Sequence, residues 1–184
     1  MRKLVASIML SLDGYSEGVN GELGWLTPDL EIDEYMADYF SRIDTILIGR
    51  VTYELFVDFW PNATSEHPVI TQKMNTLEKL VLSNTLREAT WSHTRLISGD
   101  AKTAIEQLKS QTGNNIVFFG GAKTANFLLA YDLIDELQLF VYPVMLGKGT
   151  RFFQGGYQHR QWNLIESQTF ESGVVRLLYA FNGD

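Results

Sequence analysis

Ile116-Val117-Phe118-Phe119 runs straight into Gly120-Gly121, and a helical pattern, Ala122-Lys123-Thr124-Ala125-Asn126-Phe127-Leu128, follows at once. Four consecutive apolar residues, two of them β-branched, predict a buried strand. A strand that ends on glycines and turns into a helix confines the chain to a small set of layered α/β folds. Glycine lacks the Cβ that keeps ligands away from a backbone. The helix behind it aims free N–H groups and a positive dipole end at the gap, which suits a phosphate. A tight turn without a ligand is the alternative that this segment leaves open. Neither common phosphate-loop formula applies: G-x-G-x-x-G is absent, and Ala122 rather than glycine precedes Lys123-Thr124.

The same alternation continues through the chain. Lys3–Leu10 reads as a strand that stops at Asp13-Gly14, and residues 14 to 26 form a glycine-rich segment expected to be a lid or binding loop. Thr27-Pro28 predicts a helix start. Ile32, Tyr35, Met36, Tyr39, Phe40 and Ile43 then lie on one helical face. Thr45–Ile48 is a second strand, followed by Gly49-Arg50 and a short helix over Val51–Phe59. Residues 61 to 69 read as a surface loop, and a helical turn is expected at Thr71–Thr76. Strands follow at Lys79–Leu82 and Thr94–Ile97, with a helix after Asp100 that carries Ala101, Ala104, Ile105 and Leu108. Glu136–Val144 is a long strand. Leu164–Phe170 and Val174–Phe181 form a hairpin around Glu171-Ser172-Gly173.

Strand–helix alternation up to residue 144 predicts a mainly parallel sheet covered on both faces, with antiparallel strands added by the hairpin. Ligands of such sheets sit beyond the carboxyl ends of the strands. Asp13, Gly49-Arg50, Ser83 to Thr85 and Gly120 to Lys123 all fall at those ends. Four such clusters could share one cleft and hold an extended phosphorylated ligand.

Composition narrows the function classes. A chain of 184 residues reads as one domain, 1–184, and 45% hydrophobic content with 12% aromatics suits a packed core. A formal charge of −7, from 22 acidic and 15 basic residues, disfavours nucleic acid or an anionic membrane as the main partner. With no cysteine, disulfides, thiolate metal sites and cysteine nucleophiles are out, and a reducing cytoplasm is the expected compartment. Met1-Arg2-Lys3 before an apolar run resembles a leader superficially. Asp13-Gly14 and Glu17 interrupt it without a cleavage pattern, so a core strand is expected there. No stretch approaches the ~20 apolar residues of a membrane span. His67, His93 and His159 lack ligand spacing, and no metal is expected.

The strand-end clusters also carry a family resemblance. Ser11-Leu12-Asp13-Gly14, Asp44–Gly49 with Arg50-Val51-Thr52-Tyr53-Glu54, Lys79–Ser83 with Asn84-Thr85, Phe119-Gly120-Gly121-Ala122, and Leu133–Leu137 running on to Pro143–Gly149 occur in order along nearly the whole chain. Together they resemble the reductase domain of bacterial riboflavin biosynthesis and its stand-alone relatives, which share the dihydrofolate reductase fold. That resemblance implies a three-layer α/β/α domain whose mixed, mainly parallel sheet ends in an antiparallel hairpin, with NADPH lying across the strand ends. It implies that Gly49, Arg50, Val51 and Thr52 lie by the cofactor, Arg50 and Thr52 near its phosphates. Ser83 and Thr85 would hold the adenosine end, and Gly120, Gly121, Ala122, Lys123 and Thr124 would cradle the pyrophosphate. It also implies a homodimer paired through the C-terminal region, where Phe140, Tyr142, Phe152, Phe153 and Tyr157 read as exposed.

Two departures bear on specificity. Asn84 stands where the family often has arginine, so preference for NADPH over NADH falls to Arg50 and Arg87. Where the riboflavin enzymes carry an arginine-bearing segment for a ribose phosphate, this chain has Tyr53–Pro61, aromatic and acidic.

Hydride transfer needs an acceptor stacked on the nicotinamide and often a nearby proton source. Asp13, at a strand end beside the glycine-rich segment, is the first candidate for both catalysis and substrate contact. Asp29 and Asp33 on the next helix are alternatives, where dihydrofolate reductase places its acid. Trp25 and Trp60, with Phe56 and Phe59, could wall a flat heterocycle, or simply be core. The leading expectation is an NADPH-dependent oxidoreductase acting on a small heterocyclic or carbonyl substrate. The riboflavin-pathway reductase, acting on 5-amino-6-(5-phosphoribosylamino)uracil, is the alternative. A non-catalytic nucleotide-binding dimer is the alternative of another class.

Overall fold

The structure is a computed structural model that describes residues 1–181. In chain order the elements are β1 (Leu4–Ser11), β2 (Tyr15–Glu17), α1 (Leu30–Tyr39), β3 (Ile43–Gly49), α2 (Arg50–Phe59), α3 (Pro68–Thr76), β4 (Glu78–Leu82) and β5 (Thr94–Ile97). They continue with α4 (Ala101–Ser110), β6 (Asn115–Phe118), α5 (Ala122–Ala130), β7 (Glu136–Tyr142), β8 (Thr150–Arg151), β9 (Trp162–Thr169) and β10 (Val175–Phe181). Short 3-10 turns follow α1 at Phe40–Arg42 and α2 at Trp60–Asn62. Chain contacts divide these into two compact units: Met1–Leu4 with Leu30–Gly120, and Val5–Asp29 with the chain from Gly121 on.

In the first unit, β3 pairs in parallel with β4 on one side and β6 on the other, and β4 pairs in parallel with β5. Gly49 is level with Leu82, and Leu47 with Phe118, so β3, β4 and β6 finish together. The apolar runs explain the burial. Ile46, Leu47, Ile48, Val81, Ile116, Val117 and Phe118 lose all exposure. Each such side chain contributes roughly 1.5–3 kcal/mol on burial. Of the helical face read from the sequence, Ile32, Met36 and Tyr39 are buried on α1 and Tyr35 is half-buried, while the buried Phe40 and Ile43 fall beyond the helix, in the 3-10 turn and at the start of β3.

A buried arginine ties down the other end of these strands. Arg2 pairs with Asp44. It also donates to Thr45 Oγ1 (2.6 Å) and to the Asn114 carbonyl (2.7 Å), while Asp44 Oδ2 accepts from Asn114 N (2.7 Å). Gly113 completes the corner at φ +153°, where a Cβ would come 2.7 Å from Asp44 Oδ2.

In the second unit, β1 and β7 are parallel, β10 is antiparallel to β7, and β9 is antiparallel to β10. The C-terminal hairpin expected from the sequence is therefore present. Residues 14 to 26 are less free than a lid. Tyr15 and Glu17 pair with Arg151 and Thr150 in a two-stranded ladder, Phe152 N donates to the Gly14 carbonyl (3.0 Å), and Arg151 lies over the Tyr15 ring. The backbone approach is close enough that a Cβ on Gly149 would strike the Glu17 carbonyl oxygen at 2.1 Å.

Other expectations need correction. Helix α1 begins at Leu30, beyond Thr27-Pro28, and α3 begins at Pro68, inside the stretch read as loop. Phe140, Tyr142 and Phe152 are buried rather than exposed, with their rings against Phe170, Trp25 and Phe153; Phe153 is exposed and Tyr157 half-buried. The exposed apolar positions of this unit include Leu164 and Ile165 on β9, at 52% and 59%. No helix among the described residues is long and apolar enough to cross a membrane.

Candidate functional site

Helices α2, α3, α4 and α5 start in two different ways. His67 Nδ1 accepts from Val69 N at the start of α3 (3.3 Å). Asp100 Oδ1 accepts from Thr103 N at the start of α4 (3.1 Å). The Thr103 hydroxyl and amide hold the Asp100 carboxyl below the usual carboxylate range. Helices α2 and α5 follow directly on Gly49 and Gly121, and neither has a side-chain cap. Their first N–H groups keep their hydrogen-bonding capacity and their positive dipole end for another acceptor.

Within the first unit the strand ends bring several expected cofactor residues together. Gly49, Arg50, Val51 and Thr52 leave the end of β3, beside the end of β4, which leads to Ser83 and Thr85. Phe119 N donates to the Leu47 carbonyl (3.1 Å), placing Gly120 next to the first turn of α2. A Cβ on Gly120 would lie 3.5 Å from Thr52 Oγ1 and 2.6 Å from Phe118 Cζ. Gly120 is therefore needed by the Phe118 ring.

Ser83 and Arg50 are engaged locally. Ser83 Oγ accepts from Thr85 N (3.1 Å) and Leu86 N (2.9 Å), and Asn84 Oδ1 accepts from Gly99 N (2.7 Å). Arg50 Nη1 reaches both oxygens of Glu54 at 2.6 and 2.9 Å, with both side chains partly exposed.

In the second unit, Gly121 has φ −78° and ψ 168°, ordinary extended geometry, with nothing within 4 Å of a Cβ built on it. The open face lies at the start of α5. Ala122 there is buried, Lys123 is exposed without an ion pair among the described residues, and Thr124 is half-buried. Asn126, one turn on, donates to the carbonyls of Ala122 (2.7 Å) and Phe152 (2.6 Å) and accepts from Gln154 N (3.0 Å). The sequence reading did not single out Asn126; its i, i+4 spacing from Ala122 was the available signal.

Asp13 also lies in the second unit, in a dense set of donors. Its Oδ1 accepts from Ser11 Oγ (2.7 Å) and Leu146 N (3.1 Å), and its Oδ2 from Gly147 N (2.7 Å). The Ser11 hydrogen bond, then those of Gly147 and Leu146, hold the carboxyl down at about 2. Such a carboxylate is ionised at neutral pH and accepts hydrogen bonds. Ser11 in turn accepts from Tyr15 N (2.9 Å), so the Ser-Leu-Asp-Gly turn clamps the 146–147 backbone. Asp29 sits just ahead of α1 and Asp33 in its first turn.

The two tryptophans share one property in their separate units. Trp25 stands edge-on to Tyr142 (5.5 Å), and Trp60 stands edge-on to Phe56 (6.1 Å) and Phe59 (5.2 Å). The indole nitrogen of each is shut off from solvent and has no hydrogen-bond partner among the described residues. No group of three or more His, Asp or Glu placed to hold a metal occurs among the described residues.

The RibD C-terminal domain model matches residues 2–176. The chain belongs to that family. It is 30% identical over 186 residues to "Uncharacterized protein YyaP" of Bacillus subtilis (strain 168), covering 99% of this chain and 96% of that protein. Among solved structures, it is similar to a Shewanella sp. PV-4 protein named provisionally for riboflavin biosynthesis, with TM-score 0.80, 25% identity and complete coverage of both chains. A dihydrofolate reductase of Enterococcus faecalis, complexed with NADP(H), superposes with TM-score 0.68 at 16% identity over 98% of this chain and 97% of that one. The fold is thus dihydrofolate reductase-like, with a mixed, mainly parallel sheet.

Proposed function

We propose that this chain is an NADPH-dependent reductase that transfers a hydride to a small heterocyclic or carbonyl substrate. The observation that carries this reading is the pair of helices, α2 and α5, that start uncapped from glycines while α3 and α4 carry side-chain caps. Open N–H groups at a helix start fit phosphate oxygens. The open face of Gly121 admits a pyrophosphate against the backbone, with Ala122, Lys123 and Thr124 as its donors. Gly49, Arg50, Val51 and Thr52 serve the phosphates from α2, and Ser83 and Thr85 the adenosine end.

NADPH, when bound, supplies the hydride. The chain's own residues bind, orient and exclude water. Asp13, held at about 2, is ionised at neutral pH and fixes the 146–147 backbone as an acceptor rather than donating a proton there. Asp29 and Asp33 remain the proposed proton sources, and Trp25 and Trp60 the substrate walls. A second reading, reduction of 5-amino-6-(5-phosphoribosylamino)uracil, draws on membership of the RibD family. The test is a fluorescence titration with NADPH and NADH, followed by turnover of a pterin and of that pyrimidine phosphate. Absence of NADPH binding refutes the reductase reading, and turnover of the phosphate alone selects the second.

The chain is also proposed to act as a homodimer in the cytoplasm. Strand β9 is half-exposed at Trp162 and exposed from Asn163 to Thr169, with Leu164 and Ile165 open to solvent, and most of β10 beside it is half-buried. A strand of this kind is a ready template for pairing with a second copy.

A further inference from the structure

Residues 51 to 72 contain Glu54, Asp58 and Glu66 and no lysine or arginine. Arg50, ahead of them, is assigned above to the cofactor's phosphates, Lys73 follows them in the last turn of α3, and His67 faces Glu34 at 3.4 Å. A substrate phosphate brought to residues 51–72 would meet carboxylates and find no guanidinium or ammonium from this stretch itself. Uncharged donors are present instead. Trp60 Nε1 and Thr71 Oγ1 are both shut off from solvent, and neither has a hydrogen-bond partner among the described residues. Buried polar groups are rarely left so, and each adds to the cost of the unliganded state.

One side chain holds both residues. Asn75 Nδ2 donates to the carbonyls of Trp60 and Thr71, each at 2.9 Å. Its Oδ1 accepts from Trp91 Nε1 at 2.9 Å. The Trp91 ring lies under the Lys79 ammonium, 4.5 Å from its centroid, and that ammonium donates to the Met74 (3.0 Å) and Leu77 (2.8 Å) carbonyls. The indole of Trp60 is thus fixed at its backbone, while the half-exposed Phe59 packs edge-on against its ring. A flat ligand that stacks on the indole would displace Phe56 or Phe59, both edge-on to it.

We propose that Trp60 Nε1 and Thr71 Oγ1 read a hydrogen-bond acceptor on an uncharged, planar ring, and that Asn75 is the positioning residue for both. This rests on the reductase reading above, and it assigns the substrate class: a heteroaromatic carbonyl or ring nitrogen without a phosphate.

The test uses the full chain with 15N-labelled tryptophan, whose four indole N–H resonances are assigned by substitution. The probes are lumazine, a flat pteridine-dione, and riboflavin with its 5′-phosphate, one ring system with and without the charge. Lumazine is expected to move the Trp60 indole resonance. Trp60→Phe and Thr71→Val should each weaken lumazine about five- to tenfold, the loss of one hydrogen bond. Asn75→Asp keeps the acceptor for Trp91 and removes the donor to Trp60 and Thr71. It should weaken lumazine while the Trp91 indole resonance stays in place. Riboflavin should bind more tightly than its phosphate. A Trp60 resonance unmoved by lumazine to its solubility limit overturns the proposal, as does unchanged affinity in both Trp60→Phe and Thr71→Val, or tighter binding of the phosphate. A chain that binds lumazine in this way but not NADPH supports the acceptor site and overturns the reductase reading alone.

Discussion

Gly121→Ala separates a ligand site from a turn, because the structure removes the usual complication. Gly121 has a negative φ and nothing within 4 Å of the added methyl. The backbone therefore does not resist alanine. Two small effects oppose each other: reduced freedom of the unfolded chain favours alanine by ~0.4–1 kcal/mol, and alanine is a poorer N-cap than glycine by a similar amount. The net should stay within ~1 kcal/mol, a shift of no more than ~4 °C in Tm for a chain this size. A pyrophosphate lying on that open face would meet the methyl group directly. NADPH affinity should then fall at least tenfold, or ~1.4 kcal/mol. Gly120→Ala is the control for packing, since its methyl would sit 2.6 Å from the buried Phe118 ring. It should cost ~1–3 kcal/mol of stability. Thermal melts and a fluorescence titration at fixed ionic strength read both quantities. Gly121→Ala binding NADPH like the parent would place the cofactor elsewhere and leave α5 as an ordinary helix after a turn.

Removing Arg50 with Arg50→Ala should weaken NADPH by about 1–3 kcal/mol, typical of a charge-assisted contact, and erase any preference over NADH; equal affinities in the parent would remove the 2′-phosphate role. Asp13→Asn should speed hydrogen exchange at the Leu146 and Gly147 amides, because one carboxylate oxygen becomes a donor; unchanged exchange would deny the clamp. The folded carboxyl of Asp13 stays ionised down to about pH 2, below its ordinary 3.8, so its stabilisation is complete above pH 3.8 and fades as pH falls through 2. Burial pushes Lys79 down from 10.5 to about 8, so the folded chain releases that proton first and gains stability relative to the unfolded chain as pH rises from 8 towards 10.5. Chemical denaturation of Lys79→Met across that window should lose the rise, and a slope identical to the parent would refute it. Light scattering should find a dimer that Leu164→Glu dissociates, while a monodisperse parent monomer at tens of micromolar (a concentration far above a dissociation constant of ~1 μM) would end the pairing proposal.

Most of the fold was legible because its elements are local. Apolar runs such as Ile116–Phe119 and the 3.6-residue face from Ile32 to Tyr39 name their own structure. The ladder of Tyr15 and Glu17 with Arg151 and Thr150 was not legible, since two or three residues carry no period and their partners lie over 130 positions away. Asp13 illustrates the limit for the site. Its position at a strand end, two residues after Ser11, was readable, but the amides of Gly147 and Leu146 that join Ser11 in holding it ionised were not. Gly120 and Gly121 look alike in sequence, yet one yields space to Phe118 and the other faces open space. Exposure of Phe140 and Tyr142 was misjudged because alternation in a strand says which residues share a face and not which face is covered.

The uncapped starts of α2 and α5 also make the stability of this protein conditional on its surroundings. A helix capped by glycine rather than by a polar side chain gives up roughly a few tenths of a kcal/mol, and any anion seated there returns it from outside the chain. By mass action, a ligand at a hundred times its dissociation constant adds ~2.7 kcal/mol, a sizeable share of the 5–15 kcal/mol that holds a typical domain. Copies emptied by dialysis should therefore be the ones that proteases find first, and copies in a cell rich in the ligand the ones that persist.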